Sequence, residues 1–139
     1  MKVRNEELVE LDEWKQDYVH FPSVEGVEDS EGKVSVLIQT YISRGTPRTH
    51  SLSSDMYYCQ QNATRILRAI FQMAMYKNWS SLASKALNMC LFVENKIWIW
   101  DHALKQFTVE LPLSVYRHLE QKKLTVERLK ELEEGDIGN

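Results

Sequence analysis

A hydrophobic repeat of three and four residues runs through almost the whole chain, and no period-two stretch competes with it. It is clearest in Val34, Leu37, Ile38, Tyr41 and Ile42, which follow the i, i+3, i+4, i+7, i+8 rule without exception. That spacing gathers five apolar side chains on one face of a helix, and such a face must be buried against another element. No strand pattern supplies a sheet, so the expected fold class is all-α, a helical bundle.

Punctuation along the chain sets the expected elements. Asn5 can cap a first helix whose first turn holds Glu6 and Glu7, favourable at the positive end of the helix dipole. Leu8, Leu11, Trp14 and Tyr18 form its apolar face. Residues 19–32, with Pro22, Gly26 and four acids, read as a loop. Ser30 is the expected cap of the second helix, and Gly45 and Pro47 its stop. A third helix is expected from Ser53 or Ser54 to about Lys77, roughly 23 residues and some 35 Å long. Its second half, Ile66 to Tyr76, is apolar on several sides, which predicts a position inside its neighbours. One stripe stays polar: Gln61, Arg65, Arg68 and Gln72 at spacings of 4, 3 and 4, with Tyr57 and Tyr58 at its upper edge.

A fourth helix follows from Ser80 or Ser81 to about Trp98, with Leu82, Ala86, Met89, Cys90, Val93 and Ile97 as its buried stripe. A short turn runs from Asp101 to Phe107, and Pro112 opens a helix through Glu120. Thr125 caps a last helix over Val126–Glu133, which Gly135 stops. Asp136, Ile137 and Gly138 read as the cap of a further helix, so the chain is expected to be a piece of something larger.

Charge is distributed unevenly. Residues 1–32 carry 3 Lys/Arg against 10 Asp/Glu, residues 33–85 carry 7 against Asp55 alone, and residues 86–139 carry 7 against 9. A basic middle between acidic ends suits a local anionic partner, and suits equally well internal pairing with the acidic first helix. Several chemistries lack their residues. There is no GxxxxGK[ST] phosphate loop, no GxGxxG after a strand and no GxSxG nucleophile turn. His20, His50, His102 and His118 have neither an i+4 partner nor a neighbouring cysteine, so no metal site is expected. No run of about 18 apolar residues offers a membrane span, and the N-terminus has no apolar core of a signal peptide. Cys59 and Cys90 read as buried free thiols of a reducing compartment, nuclear or cytosolic.

The polar stripe is the remaining candidate for function. Two arginines one turn apart, flanked by Gln and Tyr, can grip phosphates, hydrogen-bond base edges or stack on exposed bases. They can equally pair with glutamates of neighbouring helices, and both readings stand on pattern alone.

The stretches KVSVLIQTYISRG (Lys33–Gly45), SLSSDMYYCQQNATRILRAIFQMAMYKNW (Ser51–Trp79), LNMCLFVENKIW (Leu87–Trp98), ALKQF (Ala103–Phe107) and EQKKLTVERLKELEEGDIG (Glu120–Gly138) add a second line of argument. Together they resemble the helical bundle of the Sec63-homology module of Ski2-like superfamily-2 helicases, in one order and over essentially the whole chain. Lys105 and the NKIWIWDH segment depart from the family pattern. The resemblance implies a Sec63-type bundle over residues 1–121 and the start of a helix-loop-helix domain over 122–139. It implies a long "ratchet" helix, matched by Asp55–Lys77, that meets a translocating single strand, and nucleic-acid-binding residues Tyr58, Gln61, Arg65, Arg68 and Gln72. Implied partners are a single-stranded nucleic acid, the motor and winged-helix domains of the same parent chain, and other subunits of a helicase complex, with no membrane. No catalytic residues, cofactor or metal are expected in this chain, while ATP and Mg would serve the parent's motor domains. The rival expectation is a protein-interaction scaffold. It would use the acidic residues 1–32 (Glu6, Glu7 and Glu10 among them) and the Gly45–Ser51 loop as contact surfaces.

Overall fold

The computed structural model describes residues 1–107 and 111–132 of the chain, and among these every regular element is a helix. The elements are a 3-10 turn at Asn5–Glu7, α1 (Leu8–Asp17), α2 (Ser30–Ile42), α3 (His50–Tyr76), α4 (Ser80–Asn95), a second 3-10 turn at Ala103–Gln106, α5 (Leu113–Gln121) and α6 (Val126–Glu131). The expected all-α class holds. The chain divides into two compact units, Met1–Trp98 and Ile99–Asn139. The boundary expected between residues 121 and 122 falls inside the second unit. Gly135 and the 136–138 cap lie outside the described residues.

In the first unit α2 is central and packs against α1, α3 and α4, while α3 and α4 form a long antiparallel hairpin. The periodicity located the core faces of α1 and α2. Leu11 and Trp14 of α1, Val36 and Leu37 of α2, and Leu52, Met56 and Cys59 of α3 form one buried cluster, closed by Val27 from the loop. Ile42, Val93 and Trp98 form a second cluster, with Leu67 and Phe92 packed on it. Cys59 and Cys90 are free and buried, and burial pushes both thiols above their ordinary pKa.

Three polar side chains of α2 are also buried, and two of them join elements. The Gln39 carboxamide accepts from the backbone N–H groups of His20 (3.0 Å) and Phe21 (2.9 Å) and donates to the Phe21 carbonyl (2.8 Å), fixing the loop after α1. The Lys33 ammonium is fully enclosed. It donates to Glu7 Oε2 (2.6 Å), Asp55 Oδ2 (2.7 Å) and the Lys2 carbonyl (3.0 Å), which uses all three of its protons. Glu7 in turn accepts from Ser51 Oγ (2.6 Å), from the Arg4 backbone N–H (3.2 Å) and from the Arg4 guanidinium. One ion cluster therefore ties the N-terminal turn, α2 and the first turns of α3 together.

Several boundaries differ from the sequence reading. Arg4, not Asn5, precedes the first turn, because the Glu7 carboxylate reaches back to the Arg4 N–H. Asp29 occupies the cap position of α2, one residue before Ser30. α3 begins at His50 and has 27 residues, about 40 Å. It starts early because Thr49 and Arg48 are held by Glu10, whose Oε2 accepts from Thr49 Oγ1 (2.6 Å) and whose Oε1 accepts from the Arg48 N–H (2.7 Å). α2 ends in a Schellman-type turn with Arg44, not Gly45, in the left-handed region (φ 63°), while Gly45 N–H returns to the Thr40 carbonyl at 2.9 Å. Gly45 is needed for space, since a Cβ there would lie 2.4 Å from Thr40 Cγ2. Gly32 serves the same end inside α2, where a Cβ would meet the Gly26 carbonyl oxygen at 1.9 Å.

The second unit is smaller. Tyr116 is buried with its hydroxyl donating to the Phe107 carbonyl at 2.8 Å, and Leu119 is buried beside it. Pro112 caps α5 rather than opening it, and Thr125 Oγ1 caps α6 by accepting from the Arg128 N–H at 3.3 Å.

Removing the Lys33 charge while keeping its bulk should leave Glu7 and Asp55 enclosed without their main partner. Lys33→Met is expected to lose about 3–5 kcal/mol in urea unfolding, the usual cost of breaking a buried ion pair from one side. A loss under about 1 kcal/mol would show that the cluster is not structural.

The same cluster predicts acid sensitivity. Burial alone would raise the Glu7 carboxyl, but hydrogen bonds from Lys33, Ser51 and Arg4 outweigh it and lower the pKa from 4.5 to about 2. Its contribution is thus fully present above pH 4.5 and is lost as pH falls from there to about 2. At about 1.4 kcal/mol per unit the full loss is on the order of 3 kcal/mol. Glu7→Gln should flatten this part of a stability-against-pH curve, and an unchanged slope would contradict the assignment.

Candidate nucleic-acid interface

α3 positions all five residues expected from the sequence. Its buried residues, Leu52, Met56, Cys59 and Ala74, lie on one side, and Leu67 packs on the second core cluster. At 100° per residue, Tyr58, Gln61, Arg65, Arg68 and Gln72 fall within about 80° of one another on the opposite side. All five are exposed. From Tyr58 to Gln72 the stripe runs about 21 Å. The spacing of 3, 4, 3 and 4 was therefore a sufficient signal for their common face.

The chemistry of the stripe is more polar and aromatic than cationic. Gln61 donates to the Tyr57 hydroxyl at 2.6 Å, and Asn62 to the Tyr58 carbonyl at 2.8 Å. The Arg65 guanidinium donates to Asn62 Oδ1 at 2.9 Å, a contact within its own helix. Arg68 reaches across the hairpin to Glu94 of α4, with its Nε 2.9 Å from Oε1. For Arg68 the pairing with a neighbouring glutamate, left open by the sequence, is what the structure shows.

Much of the basic excess of residues 33–85 is paired internally. Lys33 is enclosed, and Arg48 pairs with Glu10 and Glu13 of α1. Arg44 donates to the Lys96 carbonyl (3.0 Å) and the Asn95 carbonyl (3.1 Å), so it caps the negative end of α4. Trp98 Nε1 donates to Ser43 Oγ at 2.9 Å and its ring packs against His20, Phe21 and Phe92, which ties the same corner. The acidic contact surface expected at Glu6, Glu7 and Glu10 needs correction as well. Glu7 and Glu10 are buried in these pairs, and only Glu6 of the three faces solvent.

A second correction concerns the hairpin. Ile66–Tyr76 does not lie inside its neighbours. Ile66, Met73, Met75 and Tyr76 of α3 are exposed, Tyr76 to 83%, and so are Leu82, Leu87, Met89 and Leu91 of α4. The small residues Ala83 and Ala86, with Cys90 and Val93, make the buried side of α4 instead of the larger Leu82 and Met89. Sequence periodicity distinguished apolar from polar here, but could not say what covers an apolar face. Among the described residues no group of His, Cys, Asp or Glu is arranged to hold a metal ion, and no helix is long and apolar enough to cross a membrane.

The described residues form an all-α module that extends a long, solvent-facing polar stripe on a largely apolar hairpin. The chain belongs to the Sec63 Brl domain family, whose model matches residues 1–130. It is similar to activating signal cointegrator 1 complex subunit 3 of Gallus gallus, 43% identical over 139 residues, which is 100% of this chain and 6% of that protein. It is also similar to a DExH-box ATP-dependent RNA helicase of Arabidopsis thaliana, 36% identical over 136 residues (98% of this chain, 6% of the relative). The U5 small nuclear ribonucleoprotein 200 kDa helicase of Homo sapiens is 35% identical over 136 residues, again 98% and 6%. The chain thus spans about 6% of the length of these relatives. The identity to the cointegrator subunit, 43%, exceeds the 35% to the U5 small nuclear ribonucleoprotein helicase. This is a helicase-associated domain and not itself the motor.

Exposed apolar faces on both helices of one hairpin should make the chain adhesive. Light scattering is expected to show an apparent mass that climbs with concentration, and Met73→Glu with Leu91→Glu should suppress the climb. A constant monomer mass at the highest attainable concentration would refute it.

Proposed function

We propose that the chain is a non-catalytic accessory module of an ATP-dependent nucleic-acid helicase, in which α3 lies along a single strand and helps to hold and ratchet it against the motor. The observation that carries this reading is the stripe Tyr58, Gln61, Arg65, Arg68 and Gln72. It is exposed over about 21 Å on the side of α3 opposite its buried face. Tyrosine and glutamine with few free cations suit bases more than phosphates, because aromatic faces stack on any base and amides bond base edges without fixing a sequence. In this reading the exposed apolar flanks of the hairpin meet the motor and winged-helix domains of the parent chain. ATP and Mg belong to those motor domains. Nuclear complexes are the expected setting, in keeping with the small nuclear ribonucleoprotein in the name of one relative, and the cytosol is a second.

A scaffold reading has its own support. Glu25, Glu28 and Asp29 in the loop after α1, Glu31 in the first turn of α2, and Glu6 are all exposed. The two readings separate by mutation. Arg65→Ala with Arg68→Ala should weaken strand binding and leave partner binding intact. Charge reversal at Glu6, Glu28 and Glu31 should do the reverse.

The direct test titrates the chain into a fluorescently labelled single strand at low and moderate salt. Weak binding that falls as salt rises and drops at least about fivefold in the double alanine variant is expected, since each lost phosphate or base contact costs on the order of 1 kcal/mol. Binding that the double variant leaves unchanged would remove α3 from the interface.

A further inference from the structure

An anion from α4 stands against the stripe of α3, where a strand-binding surface would be expected to have none. Glu94 sits in the last turns of α4, and its single oxygen Oε1 accepts from both Nε and Nη2 of Arg68, at 2.9 and 2.5 Å. A carboxylate placed this way occupies the position in which a phosphate oxygen would meet the same fork of donors. The pair is open to solvent, with the Arg68 side chain 64% and the Glu94 side chain 35% exposed. An exposed pair of this kind holds its members weakly. Fold geometry does not depend on it, because the hairpin is closed elsewhere by Leu67, Phe92 and Val93 in the second core cluster and by Arg44 on the end of α4. Arg65, the other arginine of the stripe, has only a neutral partner in Asn62.

We propose that Glu94 sets the strength and character of strand contact by competing with phosphate for Arg68, which keeps the stripe reading bases and able to release the backbone. The inference rests on the reading of α3 as strand-facing. If Arg68 were free, each encounter would add a charge-assisted contact to a backbone oxygen, and a surface that must let a strand move past it would gain affinity at the expense of release. Glu94 neutralises that contact without removing the guanidinium plane, which stays available to stack on a base.

The test uses the 139-residue chain in four forms: unaltered, Glu94→Gln, Arg68→Ala, and the two together. Each is titrated into a labelled oligothymidylate at several salt concentrations, with helical content checked by circular dichroism. Glu94→Gln is expected to bind about three- to tenfold more tightly at low salt, the worth of one charge-assisted contact at an exposed site. Its plot of log affinity against log salt should steepen by about 0.7, the release of one further counterion from a single strand. The combined variant should bind like Arg68→Ala alone. Should Glu94→Gln match the unaltered chain while Arg68→Ala weakens binding, the competition is refuted and the strand-facing reading survives. A gain from Glu94→Gln that persists without Arg68 would be a general charge effect, and would also overturn the proposal. If none of the four forms binds, both this inference and the reading beneath it fail.

Discussion

The Lys33 ammonium is fully enclosed and meets two carboxylates and a carbonyl, on the N-terminal segment and on α3. Bringing these charges out of water is costly, and their mutual attraction offsets the cost only in good geometry with every proton and lone pair engaged. The cluster approaches that condition: all three Lys33 protons are engaged, and Glu7 also takes Ser51 and Arg4. Its most informative consequence is geometric. It clamps the first two turns of α3, at Ser51 and Asp55, to α2 and the N-terminal turn. Everything farther along α3 is then set by a helix that has lost its freedom to roll at its base. The azimuth of the polar stripe is fixed within about 5–10 Å of where the stripe begins.

Charge placement then divides the chain into a part that holds itself together and a part that faces outward. Glu10 and Glu13 of α1 take Arg48, and Arg44 takes the end of α4. What the stripe retains is Arg65 on a neutral partner and Arg68 on Glu94. A surface so balanced does not depend on long-range attraction, and at a Debye length near 8 Å its few charges act only at contact. That agrees with the acidic total of −3 for the chain. A module meant to capture nucleic acid from solution would carry a basic excess on this face.

The sequence disclosed the helices and their core faces because their signal is a repeat, and repeats survive without knowledge of neighbours. Leu11, Trp14, Leu37 and Ile42 are buried where the spacing put them. The common face of Tyr58, Gln61, Arg65, Arg68 and Gln72 was legible for the same reason. Lys33, Glu7 and Glu10 were not, because a hydropathy pattern counts a charged residue as solvated, and only its partner from elsewhere in the chain makes it a core residue. Arg44 was hidden in the same way, since an arginine after a helix reads as loop until the end of another helix arrives beside it. The exposed hairpin reverses the error. Ile66, Met73 and Leu87 are apolar on the page, and nothing in their spacing says that this chain leaves them uncovered.

Those uncovered residues bear on how the stripe can work. Ile66 and Met73 lie on one side of it around α3, and Tyr57 and Met75 on the other. Apolar surface of this extent is costly to leave in water, so a partner that covers both flanks is favoured. Such a partner cannot also bury the stripe, because Gln61, Arg65 and Gln72 would lose their water without compensation. Covering both flanks while sparing the middle leaves a polar floor between two walls, which is the shape of a channel. Within it the stripe would meet whatever passes through at lower effective dielectric than on the free hairpin, so each hydrogen bond and each stacking contact would gain strength. Under the strand-holding proposal, the exposed hairpin and its polar stripe would be two halves of one arrangement: the first would recruit the walls, and the second would keep the space between them open.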